Sequence, residues 1–226
     1  WSSDVCSSDL IIMYTTVIFD LDGTLLNTLD DLMDSTNMAL EAYGFPKRSH
    51  EEIRCFVGNG IRKLIERAVP DNTDIADTDK VFNEFKRLYQ IHCNDKTGPY
   101  PGIIELLREL KKHNIKMGIA TNKVKSAADK LNEIYFEGLI DEVAGVEDGI
   151  IPKPDRCMID NLMKRLNATT DETLYVGDSQ VDVATAGNTG LDMVAVLWGF
   201  RTRKELEESG AMVFIDDPME ILDKVL

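Results

Sequence analysis

Val17-Ile18-Phe19-Asp20-Leu21-Asp22-Gly23-Thr24-Leu25 is the stretch on which the reading of this chain turns. Three apolar residues predict a short buried strand, and two carboxylates follow it one residue apart. The glycine permits a sharp turn where a ligand can approach the backbone. Charges at the end of a buried strand add no stability unless they are paired or bind a metal. The pattern therefore points to chemistry.

The same arrangement recurs downstream. Ile115 to Ala120 runs into Thr121-Asn122-Lys123, Lys153 sits between Pro152 and Pro154, and Thr173 to Val176 runs into Gly177-Asp178-Ser179-Gln180-Val181-Asp182. Helical and strand periodicities alternate between these points. Ile103, Leu106, Leu107 and Leu110 mark one amphipathic helix, and Met158, Ile159, Leu162, Met163 and Leu166 mark another. Strands are expected at 115–120, 139–144, 192–196 and 212–215, with a helix near 181–188. A further helix is opened by the Thr202-x-x-Glu205 capping box. Such alternation predicts an α/β fold, a Rossmann-like parallel sheet with helices on both faces.

One interval breaks the pattern. About seventy residues separate the first strand from Gly102, too many for a structureless loop. Leu29, Leu32, Met33, Thr36, Leu40 and Tyr43 recur at helical steps. Ser49 and Glu52 cap a short helix with Ile53 and Phe56; Ile61, Leu64, Ile65 and Ala68 follow, and then Val81, Phe82, Phe85, Leu88 and Tyr89. The expectation is a core of residues 13–24 and 97–226 with an inserted all-α helical cap over 25–96. Two connecting segments let that cap open and close as a lid.

Composition bounds the function. The formal charge of −15 in 226 residues argues against nucleic acid or an anionic membrane as partner. The four cysteines form no C-x-x-C pair and read as unpaired thiols in a reducing cytoplasm. No apolar run reaches the roughly 18 residues needed to cross a bilayer. Residues 1–12 repeat Ser-Ser-Asp and precede the first methionine, Met13, so they read as a non-native leader. His50, His92 and His113 receive no catalytic role.

The four strand-end and loop segments, in this order, resemble the motifs of the haloacid dehalogenase superfamily of aspartate-nucleophile phosphatases. That resemblance implies Mg²⁺ as cofactor, held by the Asp20 side chain, the Asp22 backbone carbonyl and the Asp178 side chain. Asp20 is then the nucleophile that forms an aspartyl-phosphate, and Asp22 the general acid and later base, its proton affinity raised by neighbouring negative charge. Lys153, Thr121 with Asn122, and backbone N–H groups of the Leu21 to Gly23 turn meet the phosphoryl charge. Asp182 orients a ligand or pairs with Lys153. Within the superfamily, Leu25 to Leu32, Phe56-Val57-Gly58-Asn59-Gly60 and Pro101-Gly102 look like the phosphoglycolate phosphatase group, although Asn27 stands where that group usually carries aspartate. The implied partner is a small anionic phosphorylated metabolite, with 2-phosphoglycolate the first candidate, and the implied state a monomer or homodimer. A β-phosphoglucomutase-like phosphotransferase and a pyrophosphatase are alternatives on the same scaffold, and a non-catalytic binding domain is a third class.

Taken singly, the residues admit plainer readings. Asp22-Gly23 suits a hairpin turn, Lys153 an exposed loop, Thr121-Asn122 a helix N-cap, and Asp178 a cap. Gly58-Asn59-Gly60 fits a tight turn between helices. Alternatively, Asn59 and Gly60, with Arg62 or Lys63, reach the non-phosphate end of the substrate when the lid closes.

Overall fold

The computed structural model describes residues 14–226; the expected leader and Met13 lie outside the described residues. Val17, Ile18 and Phe19 are wholly buried because the strand they form, β1 (Thr16–Phe19), has apolar layers on both faces. From β1 the chain enters β2 (Leu26–Asn27) and four helices, α1 (Leu29–Ala42), α2 (His50–Phe56), α3 (Gly60–Ala68) and α4 (Ile75–His92), then returns along β3 (Gly98–Pro99). Helices and strands alternate thereafter: α5 (Ile103–Lys112), β4 (Lys116–Val124), α6 (Lys125–Phe136), β5 (Glu142–Val146) and α7 (Cys157–Leu166). The chain finishes with β6 (Thr173–Gly177), α8 (Gln180–Thr189), β7 (Asp192–Val196), α9 (Arg203–Glu208), β8 (Phe214–Ile215) and α10 (Leu222–Val225).

Six strands form one parallel sheet in the order β5-β4-β1-β6-β7-β8. Counted along the sheet-forming strands alone this is the doubly wound 3-2-1-4-5-6 order, and its reversal beside β1 opens a crevice at the strands' carboxyl ends. Side-chain alternation along β1 supplies both layers: Val17 and Phe19 pack with Leu106 and Leu110 of α5, whereas Ile18 packs with Met158 and Leu162 of α7.

The inserted helices carry a cluster of their own, with Leu40, Ile53, Leu64, Ile65 and Phe85 wholly or almost wholly buried. Leu25 and Leu26 instead pack into the core cluster, so by packing the insert begins after them. Asn27 and Gly98 pair across the antiparallel β2–β3 ladder that joins the two parts. Asp31 of α1 clasps the returning segment by accepting from the Thr97 N–H at 2.9 Å and its hydroxyl at 2.8 Å. Both expected capping boxes are present, Ser49 with Glu52 and Thr202 with Glu205.

Some boundaries differ from the sequence reading. The strand expected at 139–144 begins only at Glu142, because α6 runs to Phe136 and Gly138 turns the chain at φ 73°. The last strand is confined to Phe214–Ile215. Thr121 and Asn122 do not cap a helix: β4 continues through them to Val124, and α6 starts at Lys125. Helix α6 itself escaped the periodicity because Ala128, Leu131 and Phe136 make only a sparse buried stripe.

Candidate active site

The parallel register fixes where the strands end. Phe19 lies beside Ile119 of β4 and Val176 of β6, so Asp20, Thr121 and Asp178 emerge together on one rim. Close approach there depends on glycines, Gly23, Gly177 and Gly199 among them. Gly23 sits at φ 88°, and a Cβ on it would stand 2.3 Å from an Asp178 carboxylate oxygen; a Cβ on Gly177 would stand 2.4 Å from the Asp182 carboxyl carbon.

Asp20, Asp178 and Asp182 each place a carboxylate oxygen within 4.8 Å of the others. Burial pushes the Asp20 pKa well up, and the charges of Asp182 and Asp178 add to the shift, while Lys153 opposes it. Burial also pushes Asp178 up to about 7, with Asp182 adding to it and the Phe200 N–H and Arg201 opposing. Asp182 moves the other way despite its burial, because it is held by Lys153, Ser179 and Tyr175. Its Oδ1 accepts from Lys153 Nζ at 2.8 Å and the Tyr175 hydroxyl at 2.8 Å. Its Oδ2 accepts from the Ser179 N–H at 3.1 Å and the Ser179 hydroxyl at 2.6 Å. Four donors leave this carboxylate little capacity for a metal. Ser179, rather than Asp178, is the cap of α8.

Lys153 is buried, which removes the exposed-loop alternative. Its ammonium meets Asp182, Tyr175 at 3.0 Å and Asp20 Oδ1 at 3.0 Å. Burial lowers its proton affinity, but the Asp182 and Asp20 charges outweigh that and the net shift is upward. The Leu21 N–H donates to the same Asp20 oxygen at 2.7 Å. Among the described residues, Asp20 Oδ2 accepts no hydrogen bond.

A parallel clamp holds Asp22. Its Oδ1 accepts from the Thr28 hydroxyl at 2.7 Å and faces Lys123 Nζ at 2.9 Å. Thr28 stands at the N-cap position of α1 without capping it, since its hydroxyl is given to Asp22. Lys123 also donates to the Tyr89 hydroxyl of α4 at 2.9 Å. Burial alone would pull the Lys123 pKa down, yet Asp22 and Tyr89 reverse the shift. Asp22 thus faces a cation as well as the negative neighbours expected from sequence. No sequence motif assigns a role to Lys123, Thr28 or Tyr89, and the one available signal is a lysine near the end of a buried strand.

The donor set fits a divalent cation. Asp20, Asp22, Asp178 and Asp182 are four carboxylates, and two ammonium groups contact three of them: Lys123 meets Asp22, and Lys153 meets Asp20 and Asp182. Crowded buried carboxylates need compensating positive charge, and hard oxygen donors suit Mg²⁺. The Asp22 backbone carbonyl accepts no hydrogen bond among the described residues and is available as a further oxygen.

Several expected contacts are arranged differently. The Gly23 N–H donates to the Leu26 carbonyl at 2.9 Å and is used up by the turn. The contribution of Gly23 is thus steric clearance rather than an anion-binding donor. The Asn122 side chain accepts from the Lys153 N–H at 2.8 Å and donates to the Lys153 carbonyl at 2.9 Å and the Gly58 carbonyl at 3.3 Å, so it braces the lysine loop. Thr121 is buried and lines the cavity, its hydroxyl accepting from the Lys123 N–H at 3.1 Å.

From the insert, Gly58, Gly60, Ile61 and Leu64 line the cavity with the core residues. Asn59, Arg62 and Lys63 are not brought to it. Asn59 is bonded to Arg67 at 2.9 Å, Arg62 is paired with Glu66 and Asp79, and Lys63 is paired with Glu66 at 2.7 Å. Gly58 and Gly60, at φ 120° and 81°, make the tight turn between α2 and α3.

Arg201, unmarked by any sequence motif, links the two parts, as Lys123 does through Tyr89 and Arg54 does through Phe200. It donates to the Arg54 carbonyl at 2.6 Å and the Val57 carbonyl at 2.6 Å, at the C-terminal end of α2 where backbone acceptors are free. Its Nε donates to Gln180 at 2.9 Å. Phe200 packs among the inserted helices, accepts from Arg54, and donates its N–H to Asp178 Oδ2 at 2.7 Å.

Known proteins resemble this chain in sequence and in fold. A phosphoglycolate phosphatase of Mesorhizobium japonicum is 34% identical over 208 residues, covering 88% of this chain and 91% of that protein. One from Pseudomonas syringae pv. syringae is 32% identical over 212 residues, covering 91% and 78%. A solved structure from Lactobacillus delbrueckii subsp. bulgaricus, provisionally assigned as a phosphoglycolate phosphatase, superimposes with a TM-score of 0.90 at 32% identity, covering 95% of this chain and 99% of that one. Residues 17–196, from β1 to the end of β7, match the model of the haloacid dehalogenase-like hydrolases, and the chain belongs to that family.

Proposed function

We propose that this protein is a Mg²⁺-dependent phosphatase that hydrolyses a small phosphomonoester through an aspartyl-phosphate on Asp20. The observation that carries the reading is the meeting of Asp20 and Asp178 within 4.8 Å, with Lys153 3.0 Å from Asp20. Relatives named as phosphoglycolate phosphatases make 2-phosphoglycolate the first substrate to test, and they favour hydrolysis over phosphoryl transfer.

The clamped carboxylates divide the labour. With Oδ1 of Asp20 fixed by Lys153 and the Leu21 N–H, Oδ2 attacks phosphorus as the ester P–O bond breaks. The Oδ1 of Asp22 is fixed by Thr28 and Lys123, so Oδ2 delivers the proton to the departing oxygen. In the second step Oδ2 of Asp22 takes a proton from water, whose oxygen attacks phosphorus and releases phosphate from Asp20. Lys153, the Thr121 hydroxyl and the Asp22 backbone N–H meet charge on the equatorial oxygens. A metal ion bound by Asp20, Asp178 and the Asp22 carbonyl would neutralise the phosphoryl oxygens. Asp182 keeps Lys153 charged and aimed.

The insert acts as a lid that excludes water, docked by Phe200 and Arg201. Location in the cytoplasm accords with Cys55, Cys93 and Cys157 being free thiols. Among the described residues no helix is long and apolar enough to cross a membrane.

Phosphate release from 2-phosphoglycolate tests the reading. Activity is expected with Mg²⁺, and it is abolished by EDTA and by Asp20→Asn. Full turnover under either condition would refute the mechanism.

A further inference from the structure

Three cations line the cavity, and their hydrogen bonds distinguish them. Lys153 uses its three donors on Asp20, Asp182 and Tyr175 and serves the phosphoryl group, beside Asp20, through its charge. Arg201 gives its guanidinium to Gln180 and to the carbonyls that end α2. Lys123 has two partners among the described residues, Asp22 and Tyr89, for three donors. One N–H of a buried ammonium facing the cavity is thus left for a ligand.

The position of Lys123 says which part of a ligand it meets. It contacts one oxygen of Asp22, while the other oxygen of that carboxylate faces the departing ester oxygen in the mechanism above. With both hydrogen bonds to the Asp22 carboxylate leaning toward the cavity, Nζ and the ester oxygen lie on the order of 5 Å apart, a gap that a carboxylate one carbon beyond the ester oxygen closes with a hydrogen bond of about 2.8 Å. A substituent with no acceptor there would leave the spare donor unpaired and buried, and a neutral acceptor such as an amide would lack the charge assistance.

We propose that Lys123 is a specificity-determining residue that recognises a carboxylate on the carbon next to the ester oxygen, selecting phosphate esters of 2-hydroxy acids. The inference rests on the phosphatase reading and deepens it. Tyr89, from the inserted helix α4, orients the ammonium from the lid side, so recognition requires the insert to be docked.

The test compares 2-phosphoglycolate with 2-phosphoglycolamide, which differs in charge but hardly in shape, by kcat/KM in saturating Mg²⁺. Wild-type protein should prefer the acid by about 10- to 100-fold, as expected for a charge-assisted hydrogen bond. Lys123→Met should bring the ratio close to one, whatever its overall rate. If Lys123 only positioned Asp22, both rates would fall together with the ratio unchanged, and the proposal would be overturned. A wild-type ratio near one also overturns it while leaving the phosphatase reading intact. Absence of hydrolysis of these esters and of p-nitrophenyl phosphate would instead remove the phosphatase reading itself. Should Lys123→Met fail to fold by circular dichroism, product inhibition of the wild type decides: glycolate must compete at least tenfold better than glycolamide, and equal competition overturns the proposal.

Discussion

Asp182→Asn separates the two roles open to the third carboxylate of the cluster. The side chain is wholly buried and accepts from Lys153, Tyr175 and both donors of Ser179. Substitution keeps the shape but removes the charge opposite Lys153, and it turns an amide donor toward one of the existing donors. Removing one partner of a buried ion pair costs about 3–5 kcal/mol. Asp20 still stands 3.0 Å from Lys153, which holds the loss near about 3 kcal/mol. In urea, with a slope of about 2–3 kcal/mol/M, the unfolding midpoint should fall by about 1 M. Lys153 would lose its aim, and kcat should drop by about 10- to 100-fold. The Mg²⁺ concentration for half-maximal activity should change far less than in Asp178→Asn. If both variants raised the Mg²⁺ requirement equally while the urea midpoint of Asp182→Asn stayed put, Asp182 would be a metal ligand and the reasoning would fail.

Gly23→Ala should destabilise by about 2–4 kcal/mol, since alanine resists a positive φ and its methyl group would collide with Asp178; thermal unfolding and a raised Mg²⁺ requirement are the readouts. Arg201→Ala removes the bonds to the α2 carbonyls, so KM should rise about tenfold, with a smaller effect on kcat for small substrates. Steady-state kinetics would refute this docking role if KM were unchanged. Asp178, raised by burial from its usual 3.8 to about 7, holds its proton longer in the folded than in the unfolded state. It therefore contributes falling stability as pH rises from about 4 to about 7 in EDTA. Mg²⁺ must displace that proton, so the rise in Tm on adding Mg²⁺ should be larger at pH 8 than at pH 6; scanning calorimetry giving the reverse order would contradict the shift.

The fold was legible because strand and helix periodicities are local properties. Val17 to Phe19 and Leu174 to Val176 are continuous runs of buried apolar and aromatic residues, as in strands buried on both faces, and the amphipathic stripes of α1, α5 and α7 stand out. Helix α6 was not visible, because its buried side is thinly populated. Of the site, Asp20, Asp22, Thr121, Lys153 and Asp178 could be named since each follows or flanks a recognisable segment. Lys123 and Arg201 could not, for their importance lies in partners dozens of positions away: Asp22 and Tyr89 for one, Arg54 and Val57 for the other. Arg62 and Lys63, the charged residues expected to serve from the insert, are satisfied by neighbouring carboxylates on helix surfaces, where sequence spacing alone cannot distinguish an ion pair from a ligand contact.

The most direct measurement is a crystal structure of the protein grown with Mg²⁺ and beryllium trifluoride, which mimics a phosphoryl group on aspartate. It should show one ion about 2.1 Å from oxygens of Asp20, Asp178 and the Asp22 carbonyl, with the mimic attached to Oδ2 of Asp20 and touching Lys153. An ion bound away from Asp20 and Asp178, or a mimic attached to any other residue, would contradict the account.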